Sequence, residues 1–172
     1  SANWLHLYSE AARLAFADRA AYVGDPDFVQ APGGDWRSLL APGYLLERSR
    51  LIGPQRMPAA TAGQPAPLRG GYAPMPPQPE YGTSHISIID KDGNAVAMTT
   101  TIEAAFGSRQ MVKGFMLNNE LTDFSFTPTD ASGQPIANSV QPGKRPRSSM
   151  SPTLVFDRNS GQLLASVGSP GG

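Results

Sequence analysis

Thr83-Ser84-His85-Ile86-Ser87-Ile88-Ile89-Asp90-Lys91-Asp92-Gly93-Asn94-Ala95-Val96-Ala97-Met98-Thr99-Thr100-Thr101 is the stretch around which the chain is organised. Ile86 and Ile88 alternate with His85 and Ser87, the period of two expected of a half-buried strand. Asp92-Gly93 supplies a pair that accepts positive φ, so a tight reversal is predicted there. Ala95 to Thr101 then runs back with apolar and β-branched residues that suit a second strand. The hairpin opens on Thr83 and closes on Thr101, which brings two hydroxyls to the same end. Threonine at the head of a strand is ordinarily only a β-former; a second hydroxyl beside it makes the pair a candidate for chemistry.

Upstream, Asn3 to about Val23 reads as a helix. Leu7, Ala11, Leu14, Ala17 and Ala21 form one apolar stripe, with Leu5, Tyr8, Ala12 and Ala15 beside it. A helix apolar over so much of its surface is expected to be well buried, and Asp18, within the first stripe, to need a buried partner. Gly24 and Pro26 end it. The carboxylates of Asp25 and Asp27 match no calcium-loop spacing, so Gly24 to Phe28 reads as a turn. A short helix is predicted from Pro42 to about Ile52, with the proline at its first position. Gly53 to Gly82 carries Pro54, Pro58, Pro65, Pro67, Pro74, Pro76, Pro77 and Pro79. It can build neither a helix nor a central strand and reads as an extended or mobile connector.

Downstream, Ile102 to Ser108 reads as a bend, Met111 to Leu117 as a strand, and Asn118 to Phe124 as a polar strand end. Thr127 to Pro146, rich in Pro, Gly, Ser, Asn and Asp, reads as a long loop. Thr153 to Asp157 and Gln162 to Val167 form a second hairpin around Arg158-Asn159-Ser160-Gly161.

Composition narrows the function classes. The 172 residues hold 14 Lys+Arg against 14 Asp+Glu, and no basic run points to nucleic acid or an anionic membrane. Cys 0 excludes disulfides, thiol nucleophiles and thiolate metal sites. No apolar run is long enough to span a bilayer, and no basic-then-apolar leader opens the chain. The two histidines, His6 and His85, lack ligand spacing, so no metal site is expected. His85 shares a strand face with Thr83 but sits roughly 6–7 Å further along, too far for a direct base, so its role reads as structural. Gly168-Ser169-Pro170-Gly171-Gly172 lacks the Lys-Ser/Thr pair of a phosphate loop, and no cofactor is implied.

From Thr83 onward the chain resembles the γ-glutamyltranspeptidases. The matching pieces are Thr83-Ser84-His85, Asp90-Lys91-Asp92-Gly93-Asn94-Ala95-Val96, Leu117-Asn118-Asn119-Glu120, Asp123-Phe124-Ser125, Gly143-Lys144-Arg145-Pro146, Ser148-Ser149-Met150-Ser151-Pro152 and Gly168 to Gly172. Their order and approximate spacing match as well. Upstream, Ala17-Asp18-Arg19 and Tyr22 to Phe28 are similar to the end of the family's large subunit. The resemblance implies an α+β chain, part of the four-layer α/β/β/α sandwich of the N-terminal-nucleophile hydrolases and incomplete here. It implies a large-subunit-like end over 1–52, a proline-rich connector over 53–82, and the start of the small catalytic subunit over 83–172. Such a piece is expected to be inactive alone, though its parent is an enzyme.

The resemblance also implies self-cleavage between Gly82 and Thr83, which frees the Thr83 amine. A threonine hydroxyl needs a base. An α-amine with a reference pKa of about 7.7–8.0 can be that base, so one scission supplies both. By the same resemblance, the hydroxyl of Thr101 bonds the nucleophile, and Glu103, Glu120 and Asp123 hold the donor's α-amino group. Ser148 and Ser149 bind its α-carboxylate, while Gly171 and Gly172 form the oxyanion hole. Glu103 stands where many relatives carry Asn. The implied activity is γ-glutamyl transfer from glutathione and similar compounds to amino acids, peptides or water, in the periplasm or outside the cell. The two subunits of one precursor are the expected macromolecular partners. The rival readings are a β-lactam side-chain acylase of the same superfamily and an inactive fragment.

Overall fold

The computed structural model describes residues 1–67, 71–79 and 81–170. They cluster into two compact units, Ser1–Pro77 with Phe124–Arg147, and Gln78–Asp123 with Ser148–Gly172. The first carries the α-helices and the second the hairpins, in keeping with the α+β class.

In the first unit, helix α1 spans Ala2–Tyr22; the Ser1 side chain accepts from the Trp4 N–H at its start. Helix α2 spans Pro42–Ser49, with proline in its first turn. The expected deep burial of α1 does not hold. Leu14 and Ala21 are buried, but Trp4, Leu5, Leu7, Tyr8 and Phe16 are exposed. One face alone meets protein, and it is partly polar because it anchors the connector.

That connector is extended, as its prolines require, yet it is held throughout its first half. The Met57 N–H donates to Glu10 Oε2 at 2.7 Å, and Arg13 Nη1 donates to the Met57 carbonyl at 2.7 Å. The Gly63 N–H donates to Asp18 Oδ1 at 2.8 Å, and Arg48 Nη2 donates to the Thr61 carbonyl at 2.8 Å. Tyr22 Oη donates to the Gly63 carbonyl. Asp18 has the buried partners its position demands: Arg48 at 3.1 Å and the Tyr44 hydroxyl at 2.8 Å. Backbone groups of Met57, Thr61 and Gly63 in this extended segment are thus satisfied by side chains of α1 and α2.

The stretch 127–146 is irregular, as expected of a loop, but it supplies Ile136, Ala137 and Asn138 to the buried interior of this unit. The Ala73 N–H donates to the Pro135 carbonyl at 2.8 Å. Lys144 is buried, its Nζ donating to the Ala137 carbonyl at 2.7 Å, and burial pushes its pKa down. Arg145 holds Asp25 through Nε at 3.0 Å and Nη2 at 2.7 Å, and reaches Asp27 at 2.7 Å. That guanidinium keeps the Asp25 carboxyl far below the usual carboxylate range.

The described residues of the second unit form three antiparallel hairpins, each a two-stranded sheet. Strands β1 (Ser84–Ile89) and β2 (Ala95–Thr100) pair from Ser84–Thr100 to Ile89–Ala95. The reversal is longer than a two-residue turn. Asp90 Oδ1 accepts from the Asp92 and Asn94 N–H groups, and only Gly93 takes a left-handed φ, 86°. Burial on this hairpin is the reverse of the expectation. Ile86, Ile88, Val96 and Met98 are exposed, while His85, Ala97 and Thr99 on the opposite face are half-buried. The covered face is the one that hydrogen-bonds to the third hairpin, which selects small and polar side chains. There the Ser87 Oγ donates to the Ser166 carbonyl at 3.2 Å.

Met111 to Leu117 is not one strand but a hairpin, β3 (Met111–Val112) and β4 (Phe115–Met116). Lys113 and Gly114 both take positive φ, 49° and 86°, and reverse the chain in two residues. A single 3-10 turn, Glu120–Asp123, follows. Strands β5 (Thr153–Phe156) and β6 (Leu163–Val167) form the last hairpin around the expected turn, where Asp157 Oδ1 accepts from the Asn159 and Ser160 N–H groups.

Candidate active site

Every described residue singled out for chemistry belongs to the second unit. Thr83 is half-buried and immediately precedes β1; Thr101 immediately follows β2. One step beyond the Ser84–Thr100 pair, the ladder sets Thr83 opposite Thr101. The two therefore share the end of the hairpin. The Thr83 N–H donates to the Pro170 carbonyl at 2.6 Å. The Thr101 hydroxyl donates to the Gly82 carbonyl at 3.3 Å and accepts from the Glu103 N–H at 2.8 Å. The second threonine thus touches the carbonyl of the Gly82–Thr83 peptide bond.

Past Thr101 the chain turns sharply at Glu103, whose φ is 70°. The Asn119 N–H donates to the Ile102 carbonyl at 3.3 Å, and Asn119 Oδ1 accepts from the Ala104 N–H at 2.9 Å. These bonds draw the 3-10 turn onto the Glu103 turn. As a result Glu103, Glu120 and Asp123 each bring a carboxylate oxygen within 4.8 Å of the others. Glu120 Oε1 is buried with no hydrogen-bond partner. Burial first, then the charges of Asp123 and Glu103, push the Glu120 carboxyl up to about 7 from an ordinary 4.5. Such a trio can hold one small cation, an ammonium or a metal ion.

Ser148 and Ser149 are exposed, and the Ser148 hydroxyl accepts from the Met150 N–H at 3.1 Å. Gly171 and Gly172, expected to form the oxyanion hole, lie outside the described residues. His85 has both ring nitrogens on neighbouring hydroxyls, Nδ1 2.8 Å from Thr99 Oγ1 and Nε2 3.0 Å from Ser87 Oγ. This fits the structural role read for it. The Pro170 carbonyl, not singled out in the sequence, is the direct partner of the Thr83 nitrogen; a backbone acceptor leaves no residue-type signal.

The family model for gamma-glutamyltranspeptidase matches residues 1–172. The chain belongs to the gamma-glutamyltranspeptidase family. It is 41% identical, over its whole length, to a glutathione hydrolase proenzyme of Pseudomonas aeruginosa, but spans 29% of that protein. An acylase ACY 1 proenzyme of Pseudomonas sp. strain SE83 is 33% identical over 99% of this chain and 27% of its own. A gamma-glutamyltranspeptidase structure from Pseudomonas nitroreducens, complexed with L-DON, is 48% identical over 47% of this chain and 44% of that one, with a TM-score of 0.39. Membership in the gamma-glutamyltranspeptidase family makes the Gly82–Thr83 bond and the carboxylate trio the two features to explain.

Proposed function

We propose that the whole protein of which this chain is part is a γ-glutamyltransferase and glutathione hydrolase, activated by scission of Gly82–Thr83. The observation that carries this reading is the meeting of Thr83, Thr101 and the Glu103–Glu120–Asp123 trio within one unit. The Thr83 hydroxyl oxygen attacks the donor's γ-carbonyl carbon while its proton passes to the freed Thr83 amine. Collapse of the tetrahedral species expels the leaving amine, which takes that proton. A γ-glutamyl ester on Thr83 remains, and water or an acceptor amine cleaves it.

Thr101 supports the hydroxyl end of the site, and Ser148 and Ser149 meet the donor's α-carboxylate. Gly171 and Gly172 donate to the oxyanion. The trio reads the α-ammonium: burial first, and then the charges of Asp123 and Glu103, raise the Glu120 pKa, and a cation would relieve the repulsion among the three carboxylates. An acyl donor without an amino group would leave that repulsion in place, which favours γ-glutamyl compounds over the acylase reading. Among the described residues no helix is long and apolar enough to cross a membrane; a periplasmic or secreted location and a two-subunit mature form complete the proposal.

The test is Thr83→Ala in the full-length protein. One uncut polypeptide without turnover of a chromogenic γ-glutamyl anilide is expected. Normal processing of that variant would remove Thr83 from the mechanism.

A further inference from the structure

His85 and Gly168 approach so closely that a Cβ on Gly168 would overlap the imidazole atoms Cε1, Nδ1 and Nε2. Gly168 does not take a left-handed φ, so backbone freedom does not account for the glycine; the ring does. That ring is fixed by its bonds to Thr99 and Ser87. Ser87 continues the chain of bonds to the Ser166 carbonyl, and the Ser166 hydroxyl donates to the Val96 carbonyl at 3.3 Å. Two residues past Gly168, the Pro170 carbonyl accepts the Thr83 N–H. The run 166–170 is therefore tied down at both ends and seated on the imidazole between them.

We propose that His85 is a positioning residue whose ring, seated against Gly168, aims the Pro170 carbonyl at the Thr83 nitrogen. The catalytic half of this inference rests on the reading of Thr83 as a nucleophile with its own amine as base. In the uncut chain the bond is made by a peptide N–H and fixes the residue on one side of the scissile bond. Once the amine is free, the carbonyl accepts one of its N–H groups. That sets rotation about the Thr83 N–Cα bond, and with it the direction of the lone pair that must take the hydroxyl proton. A carbonyl acceptor also favours the ammonium form, so losing it lowers the pKa of the amine. His85 itself moves no proton.

Gly168→Ala adds a methyl where the ring lies, and the pair His85→Ala with Gly168→Ala makes room for it. The first readout is hydrogen exchange of the Thr83 amide in the uncut chain. Gly168→Ala is expected to speed it about tenfold or more while distant amides are unchanged, and the double variant to restore much of the protection. The second readout is kinetics of the full-length protein on γ-glutamyl anilide. Gly168→Ala is expected to lower kcat about 100-fold with little change in KM, as misaimed groups do. The acid limb of its pH profile should move to lower pH. His85→Asn, which cannot clash, should outperform His85→Ala and serves if the alanine at 168 prevents folding. Unchanged Thr83 exchange in Gly168→Ala, or a double variant no better than Gly168→Ala, would overturn the proposal. An unprocessed or inactive parent would overturn the functional reading instead, and the exchange experiment would still decide the His85–Gly168 contact.

Discussion

Replacing Glu120 by Gln is expected to stabilise the protein above pH 7 while weakening its hold on a cationic ligand. Glu120 Oε1 is buried without a partner, and two further carboxylates lie within 4.8 Å. Its pKa rises from 4.5 to about 7 on folding. A carboxyl that holds its proton more tightly when folded penalises the native state once the pH exceeds the unfolded value. The penalty therefore begins near pH 4.5, grows to about 7 and is constant above. Taken in full, the shift corresponds to about 3 kcal/mol. The residue is only half-buried and solvent screens the like-charge repulsion, so about 1–2 kcal/mol is expected. The assay is urea unfolding of the uncut chain and its Glu120→Gln variant in small steps from mildly acidic to mildly basic pH. The stability difference should start near zero and reach its plateau once Glu120 has ionised. A difference that ignores pH, or a less stable variant at the basic end, would refute the reasoning. With a saturating γ-glutamyl ligand the order should reverse, because an ammonium pulls the Glu120 pKa down and Gln offers it no charge.

Further outcomes concern the trio and, separately, the Asp25–Arg145 pair. Donor KM should fall as pH rises through about 7, where Glu120 gives up its proton and becomes a ligand for the ammonium; a flat KM across that range would count against the trio. Asp123→Ala should cost about 2–5 kcal/mol of transition-state binding, seen in kcat/KM. A des-amino donor that reacts as well as the γ-glutamyl one would argue for the acylase reading. Arg145→Met should lower stability at neutral pH, because the depressed Asp25 carboxyl contributes only while ionised. That gap should close as pH falls below the ordinary 3.8 and Asp25 protonates, read from urea midpoints at neutral and strongly acid pH.

What the sequence made legible is local. The first hairpin followed from alternation and from Asp92-Gly93, and both helices from spacing and their terminal residues, because neighbours in the chain set these features. The β3–β4 hairpin escaped because its two-residue turn, Lys113-Gly114, interrupts a run with good strand residues on both sides. Burial was harder, since it depends on partners far along the chain. Leu5 and Tyr8 read as core and are exposed, whereas the connector read as loose is bolted down by Glu10, Arg13, Asp18 and Arg48. Asp18 was the one clue, a charge inside an apolar stripe. In the site, Thr83 and Thr101 were paired by the hairpin itself. The gathering of Glu103 and Glu120 came from resemblance, because the Asn119 bonds that draw them together leave no periodic signal.

The first unit bears on what scission at Gly82–Thr83 would do. It is built from 1–77 and 124–147, so the proposed cut falls between its two segments in the chain while both stay within one packed body. The bonds that join them do not pass through the scissile peptide. They include the Ala73 N–H to the Pro135 carbonyl, Arg145 to Asp25 and Asp27, and Arg147 Nη1 to the Arg19 carbonyl at 3.0 Å. Arg147 Nη2 also reaches Met75 Sδ at 3.3 Å. Asp25 and the Ala73–Ile136 bridge are buried, so separating the segments would expose an unpaired carboxylate and apolar surface together. Cutting the Gly82–Thr83 bond removes none of these contacts; it lifts only the chain connection, whose loss is entropic and varies slowly with loop length. The first unit would therefore still hold the segment before the cut to the segment after it.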